Sequence, residues 1–306
     1  MAATNSTYPK GGFSCSKDSS LGNGSLVFQI KFCGKSPALR VAANRYVQPN
    51  QTMSKGTIIG KCKLCLDTKE LNFEHIPPRS AFNKETKYYI VDQTEYYQKA
   101  KEYTFDNLKP KSRKEQGGIG KFSFCIACNG FLGSNYVRNY KKFANIAMSI
   151  IQSNDKNAKA FEFDISDINL LKFLKQITAI FIATNKHSFT ESYPELLKFV
   201  RNENLSELPE RYRFYMYLNN EGKNRNGHIH YTNHFGTVCE FTFPPFGFVL
   251  SIDNPNRLMQ LSEITNFKHY EKIKTIEKLP IILNKYPTYY PFPLDFRTEK
   301  ELNGST

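Results

Sequence analysis

The residues best suited to chemistry in this chain lie between positions 62 and 129. Cys62-Lys63-Leu64-Cys65 comes first, then Glu74-His75-Ile76-Pro77-Pro78, and then Cys125-Ile126-Ala127-Cys128-Asn129. Two Cys-x-x-Cys pairs offer four thiolates, which suit a closed tetrahedral Zn2+ site with Zn–S of about 2.3 Å. The pairs are separated by 59 residues, so spacing alone also admits a redox-active pair beside an accidental one. Redox motifs seldom flank one another, and the structural zinc is the stronger reading. Between the pairs, His75 has the proton affinity of a general base near neutral pH, and Glu74 is a hard oxygen donor for a divalent cation. A base that takes a proton from water, next to a cation that neutralises a developing oxyanion, is what phosphodiester hydrolysis requires. An isolated Glu-His pair is more often a satisfied surface or core histidine. Asn129, following Cys128, is equally an ordinary helix-start residue.

Elements must place these residues. Gly56 to Gly60 and Glu70 to Phe73 read as two strands of a hairpin with the first knuckle at its tip. Pro77-Pro78 predicts an extended exit from the second strand. Gln116 to Gly120 is too rich in glycine for a helix, and Lys121 to Phe124 reads as a further strand. From Ile126 to Ile151 no proline intervenes, and Phe131, Leu132, Val137, Phe143, Ile146, Ala147 and Ile150 fit one helix. The insert between the motifs carries Tyr88, Tyr89, Tyr96, Tyr97 and Tyr103, followed by the basic run Lys109 to Lys114. This combination suits stacking on and neutralising a nucleic acid, or equally a small core of the insert's own.

Past residue 160 the pattern changes. Asp167 is positioned to cap a helix carrying Leu170, Leu171, Leu174, Ile177 and Phe181, and a short helix follows over Tyr193 to Val200. Period-two patterns over Tyr212–Leu218, Gly227–Thr232, Gly236–Phe243 and Phe246–Ile252 predict an antiparallel sheet of about four strands. The fold class is therefore α+β, with a basic amino-terminal arm (1–55), a zinc-stapled domain (56–151) and an accessory domain (160–306). His228 and His230 share one strand face and His234 follows. They read as a polar hairpin face in preference to a metal pair, since no third ligand is evident. Cys239 reads as a buried apolar filler.

The formal net charge of the 306 residues is +14, and its distribution is uneven. Residues 1–60 hold 7 Lys/Arg against one acid, residues 61–150 hold 16 against 9, and the remainder 19 against 18. A basic half that coincides with the Glu-His motif favours a polyanionic partner, nucleic acid, over a merely solvated face. Arg138, Lys141 and Lys142 fall at spacings that share a helix face and are candidate phosphate contacts. Seven cysteines are an awkward number for a secreted disulfide scaffold. Met1 to Ser14 contains no apolar signal-like core, and Leu170 to Ala183 is too short and too charged to span a bilayer. These features predict a cytoplasmic protein without a membrane partner.

The order Cys-x-x-Cys, Glu74-His75-Ile76-Pro77-Pro78, Cys-x-x-Cys-Asn129 resembles the zinc-bearing HNH endonucleases over residues 56–150. Wider phrases resemble bacterial HNH-type proteins: Phe73 to Asn83, Gln116 to Gly120, Gly133 to Tyr136, Pro244 to Gly247 and Pro293 to Arg297. The resemblance implies a ββα-metal fold, in which a hairpin and a helix surround one catalytic metal. It implies that His75 is the general base and that Glu74 and Asn129 hold Mg2+ or Mn2+. Double-stranded DNA would be the substrate, with the helix from Ile126 against the minor groove. Two departures stand out. The family commonly has Asn five residues before the third cysteine, where this chain has Gly120, and many members have Asp in place of Glu74. The expectation is thus a metal-dependent endonuclease, with a catalytically inactive zinc-stapled nucleic-acid-binding module as the alternative and a zinc scaffold for protein partners as a weaker third. The accessory domain is left for target choice, signal sensing or assembly into a homo-oligomer.

Overall fold

The computed structural model describes residues 42–44, 58–84, 88–91, 112–115, 117–153, 160–165, 167–219, 225–232, 236–254, 256–258, 261–271 and 279–286. In chain order the strands are β1 (Ala42–Asn44), β2 (Ile59–Lys61), β3 (Thr68–His75), β4 (Tyr88–Val91), β5 (Ser112–Glu115) and β6 (Gly120–Cys125). Helices α1 (Ile126–Asn135) and α2 (Val137–Ser153) follow, then β7 (Ala160–Ile165). Next come helices α3 (Leu170–Thr184), α4 (His187–Ser192) and α5 (Pro194–Arg201). Strands β8 (Tyr212–Asn219), β9 (Arg225–Thr232), β10 (Gly236–Phe243), β11 (Phe246–Ile252) and β12 (Ser262–Glu263) lead to a 3-10 segment (Thr265–Glu271) and β13 (Leu279–Tyr286). The result is mixed helix and sheet, as the patterning predicts.

Three sheets form. One runs β2-β3-β6, a second β1-β4-β5, and the third β7-β13-β8-β11-β10-β9 with β12 paired to β8. The four expected strands are all present in the third sheet, joined antiparallel in the order β8-β11-β10-β9. The sheet is larger than expected: β13 adds alongside β8 in parallel, and β7 pairs with β13.

Helix α3 lies at the centre and is buried along its length, including Lys175, Gln176 and Thr178. A helix apolar on every side has to be enclosed, and α2, α5, β6, β10 and the 3-10 segment all pack on it. Its buried Lys175 donates to the carbonyls of Phe199, Asn202 and Leu205, so the charge satisfies the chain leaving α5. The cap of α3 is Asn169, whose side chain accepts from the Lys172 N–H at 2.9 Å. Asp167 does not fill that place, because it sits two residues too early at φ 55° and pairs with Lys142.

The single helix expected over Ile126–Ile151 is interrupted at Tyr136. Gly130 and Gly133 weaken α1, while the side chains of Ser134 and Asn135 bond back to the Gly130 and Phe131 carbonyls. Tyr136 is fully buried and its hydroxyl donates to the Val200 carbonyl at 2.7 Å, so the break is anchored to the end of α5. Beyond it, Tyr140 and Phe143 of α2 meet Phe173 of α3 and Phe246 of β11, with Phe143–Phe173 centroids 4.7 Å apart. Each such ring contributes roughly 1.5–3 kcal/mol by leaving water. One hydrophobic core runs from Cys62 through α3 to Leu283. Described residues from both of the segments distinguished by pattern contribute to this core. The arm's expected strand at Ser25–Cys33, the tyrosines at 96, 97 and 103, His234 and the Pro293–Arg297 phrase lie outside the described residues. No helix among the described residues is long and apolar enough to cross a membrane.

Candidate metal centre and adjoining cavity

The β2–β3 hairpin carries the first knuckle in its turn. The Cys62 N–H donates to the Asp67 carbonyl at 2.8 Å, Leu66 N–H returns to the Cys62 carbonyl, and Leu66 takes φ 68°. The second knuckle spans the end of β6 and the first turn of α1. Register between β3 and β6 sets Leu71 opposite Cys125, which brings the knuckles together. The four sulfurs of Cys62, Cys65, Cys125 and Cys128 all lie within 4.8 Å of one another. Cys65 Sγ and Cys125 Sγ are 3.9 Å apart. A zinc tetrahedron has S···S edges of about 3.8 Å, whereas a disulfide bond is about 2.05 Å. The Cys125 N–H donates to Cys62 Sγ at 3.3 Å. The four cysteines therefore make a site able to hold a zinc ion.

Glu74 and His75 end β3, and Asn129 lies in the first turns of α1. All three line one cavity of about 250 Å³. Arg79 and Ser80 add further polar groups to the lining, and Phe73, Pro78, Leu132 and Val137 its apolar ones. Glu74 is only 8% exposed, and its Oε2 has no hydrogen-bond partner. Burial pushes its carboxyl up to about 8, with Lys63 acting in the opposite direction. A carboxyl so placed favours its protonated form. With the Asn129 amide oxygen it offers the hard donors that Mg2+ or Mn2+ prefers.

His75 Nε2 lies 3.0 Å from the Gly117 carbonyl oxygen. A carbonyl only accepts, so Nε2–H is the donor in this contact, and in that tautomer the free lone pair is on Nδ1. The Phe73 ring meets the imidazole edge-on at 5.2 Å between centroids. Gly117 and Gly118 take φ 96° and 98°, which bends this segment over the imidazole. A Cβ at Gly118 would fall 2.7 Å from His75 Cδ2. Gly120 pairs with His75 in the β3–β6 ladder, and a Cβ there would stand 2.1 Å from the Glu74 carbonyl oxygen. An asparagine side chain therefore has no room at position 120, and the Gly117 carbonyl holds His75 instead.

Sequence reasoning missed Asn83. It is fully buried; its Nδ2 donates to the Pro77 and Ile119 carbonyls, each at 2.7 Å, and its Oδ1 accepts from the Ile119 N–H at 2.8 Å. This amide ties the segment after His75 to the segment bearing Gly117. The chain at Pro77-Pro78 is accordingly not extended. It turns, with Ala81 N–H donating to the Pro78 carbonyl at 2.8 Å. A polar residue within the Phe73 to Asn83 phrase was the available signal.

Behind Glu74, two lysines reach the end of α3. Lys63 Nζ donates to the carbonyls of Ala183 and Asn185, Lys121 Nζ to that of Thr184, and Ser123 Oγ to that of Ala183. Burial lowers Lys63 to about 7, with Lys121 adding to the effect and Glu74 opposing it. Burial also lowers Lys121 to about 8. Cations at a helix carboxyl end satisfy its last carbonyls and complement its dipole. Asn185 also accepts from the Ile229 N–H of β9, so this joint links the knuckle to the large sheet.

Arg138 and Lys141 are exposed on α2, outside the cavity lining, and Lys142 is held by the Asp167 carboxylate. That pairing lowers Asp167 below the usual carboxylate range. His228 and His230 fall on β9, and Cys239 is buried on β10, where burial raises its thiol.

No protein-family model, curated protein or solved structure matches this chain.

Proposed function

We propose that the chain is a zinc-stapled, metal-dependent endonuclease of the HNH type, acting on DNA. The observation that carries this reading is the meeting of Glu74, His75 and Asn129 around one cavity, from β3 and α1, with Glu74 Oε2 buried and unpaired. Two antiparallel strands followed by a helix are the frame that the resemblance in sequence implies. His75 Nδ1 takes a proton from water as its oxygen attacks phosphorus, while Nε2–H stays on the Gly117 carbonyl and keeps the ring in place. Glu74 and Asn129 would hold a divalent ion, which when bound would supply charge neutralisation at the leaving 3′ oxygen. The P–O3′ bond breaks, the 3′ oxygen takes a proton from solvent, His75 returns its proton to solvent, and the products carry a 5′ phosphate and a 3′ hydroxyl. The inactive-module alternative rested on Gly120. The Gly117 carbonyl provides an orienting partner for His75, which supports the active reading.

Plasmid DNA and a matched RNA, incubated with the protein in Mg2+ or Mn2+, test the proposal beside His75→Ala. Cleavage is expected in the unsubstituted protein and a loss of at least about 100-fold in the variant, the scale of a general base. Binding without cleavage under every divalent ion would sink it in favour of the binding module.

A further inference from the structure

Any phosphodiester brings negative charge into the cavity, whose lining already includes the buried carboxyl of Glu74. Arg79 is the one Lys or Arg side chain among the residues lining the cavity. It occupies an unusual place. Arg79 and Ser80 are the two central residues of the turn closed by Ala81 N–H and the Pro78 carbonyl. The ends of that turn are fixed, since Pro77, Pro78, Ala81 and Asn83 are all buried and Asn83 donates to the Pro77 carbonyl. The two central side chains are exposed, and neither has a hydrogen bond or ion pair with a described residue.

We infer that Arg79 and Ser80 form a phosphate-anion subsite beside His75, which receives the nonbridging oxygens of a phosphodiester. The inference rests on the proposed nuclease reading for the identity of the diester. A guanidinium presents two parallel N–H donors matched to two phosphate oxygens, and a serine hydroxyl adds a third donor. A turn anchored at both ends holds these donors without a large ordering cost on binding. The same cavity is lined by Phe73, Leu132 and Val137, which offer apolar surface to the carbons of an adjoining sugar. A phosphate with a sugar attached fits this mixed lining better than a bare anion does.

The test is the affinity of the full chain for a 20-base-pair duplex in EDTA, over a series of KCl concentrations. Wild type, Arg79→Ala, Arg79→Lys and Ser80→Ala are compared, each checked for an unchanged melting curve. Arg79→Ala is expected to weaken binding about 10-fold or more, the scale of a charge-assisted hydrogen-bonded pair. It should also reduce the salt slope by about 0.9, one phosphate contact. Arg79→Lys should keep the slope and recover part of the affinity, and Ser80→Ala should lower affinity with the slope unchanged. Inorganic phosphate at millimolar concentration serves as the competitor. Failure to displace the duplex identifies a nucleic-acid diester as the ligand, and displacement that Arg79→Ala abolishes identifies free phosphate at the same subsite. Equal affinity and slope in wild type and Arg79→Ala overturn the inference, as does undetectable duplex binding by the wild type. An Arg79-dependent slope in a protein that fails to cleave under every divalent ion leaves the subsite standing and removes the nuclease reading.

Discussion

His75 is held by the carbonyl of Gly117, 42 positions away, and the segment bearing that carbonyl is tied down two residues later, where Asn83 bonds Ile119, 36 positions from it. Removing the Asn83 amide leaves the Ile119 N–H and the Pro77 carbonyl without that partner, while the Ile119 carbonyl keeps the Ile76 N–H. Asn83→Ala is therefore expected to lose about 1–3 kcal/mol of stability, the cost of unmet buried polar groups. It should also lower the cleavage rate more than it raises KM, since the imidazole loses its support and the substrate contacts do not. Urea unfolding and steady-state kinetics measure the two effects, and an unchanged rate would mean that Gly117 stays in place without it. The reactive residues were legible in sequence because their identities are chemically specific and their spacings short. Asn83, Arg79 and Gly117 were not, because nothing in their types distinguishes them until the turn and the glycine segment are folded onto His75. The side chain expected near position 120 is replaced by a backbone group, which any residue type could have supplied.

Helix α3 makes the clearest case at the scale of elements. Its apolar run was legible, and so were the hairpin, β6 and the four strands of the sheet, because each follows from local periodicity. The break at Tyr136 was not, because it depends on a hydroxyl reaching Val200. The cap was misplaced for a similar reason: Asp167 and Asn169 are both good capping types, and the position of Lys142 separates them. The carboxyl end of α3 depends on Lys63, 120 residues before Ala183. Lys63→Met should cost about 1–3 kcal/mol by exposing the last carbonyls of α3 to an apolar neighbour, while zinc binding persists. Denaturant unfolding alongside a zinc assay separates these, and loss of zinc together with stability would place the lysine's role in the knuckle itself.

Among the described residues the larger of two hydrophobic clusters includes Cys62 and Cys125 as much as Phe246 or Leu283. The described residues of the zinc segment and of the large sheet are therefore expected to unfold together. Removing zinc with a chelator should lower the midpoint of one transition, and a thermal scan followed by circular dichroism reads this directly. Two separated steps, the first alone sensitive to chelation, would contradict it. Cys125→Ser should bring the zinc content below one per chain and shift the same transition. The boundary drawn at residues 151–160 follows a real change of pattern, from basic and helical to sheet-forming. Pattern carries no record of which faces meet, so the aromatic contacts between α2, α3 and β11 could not be read from it. The parallel pairing of β13 with β8 was hidden for the same reason, since the strands are far apart in the chain.

Lys63 sits inside the Cys-x-x-Cys loop, yet its ammonium belongs to the end of α3. The hairpin and its knuckle are consequently a poor graft. A designer who moved residues 58–135 onto another scaffold would carry a buried cation without its carbonyls. The transplant would have to bring the Ala183–Asn185 corner with it, or exchange Lys63 and Lys121 for apolar residues first. Portability, and with it the ease of recombining this site with other carboxy-terminal halves, is limited by two side chains that have no part in ligating a metal.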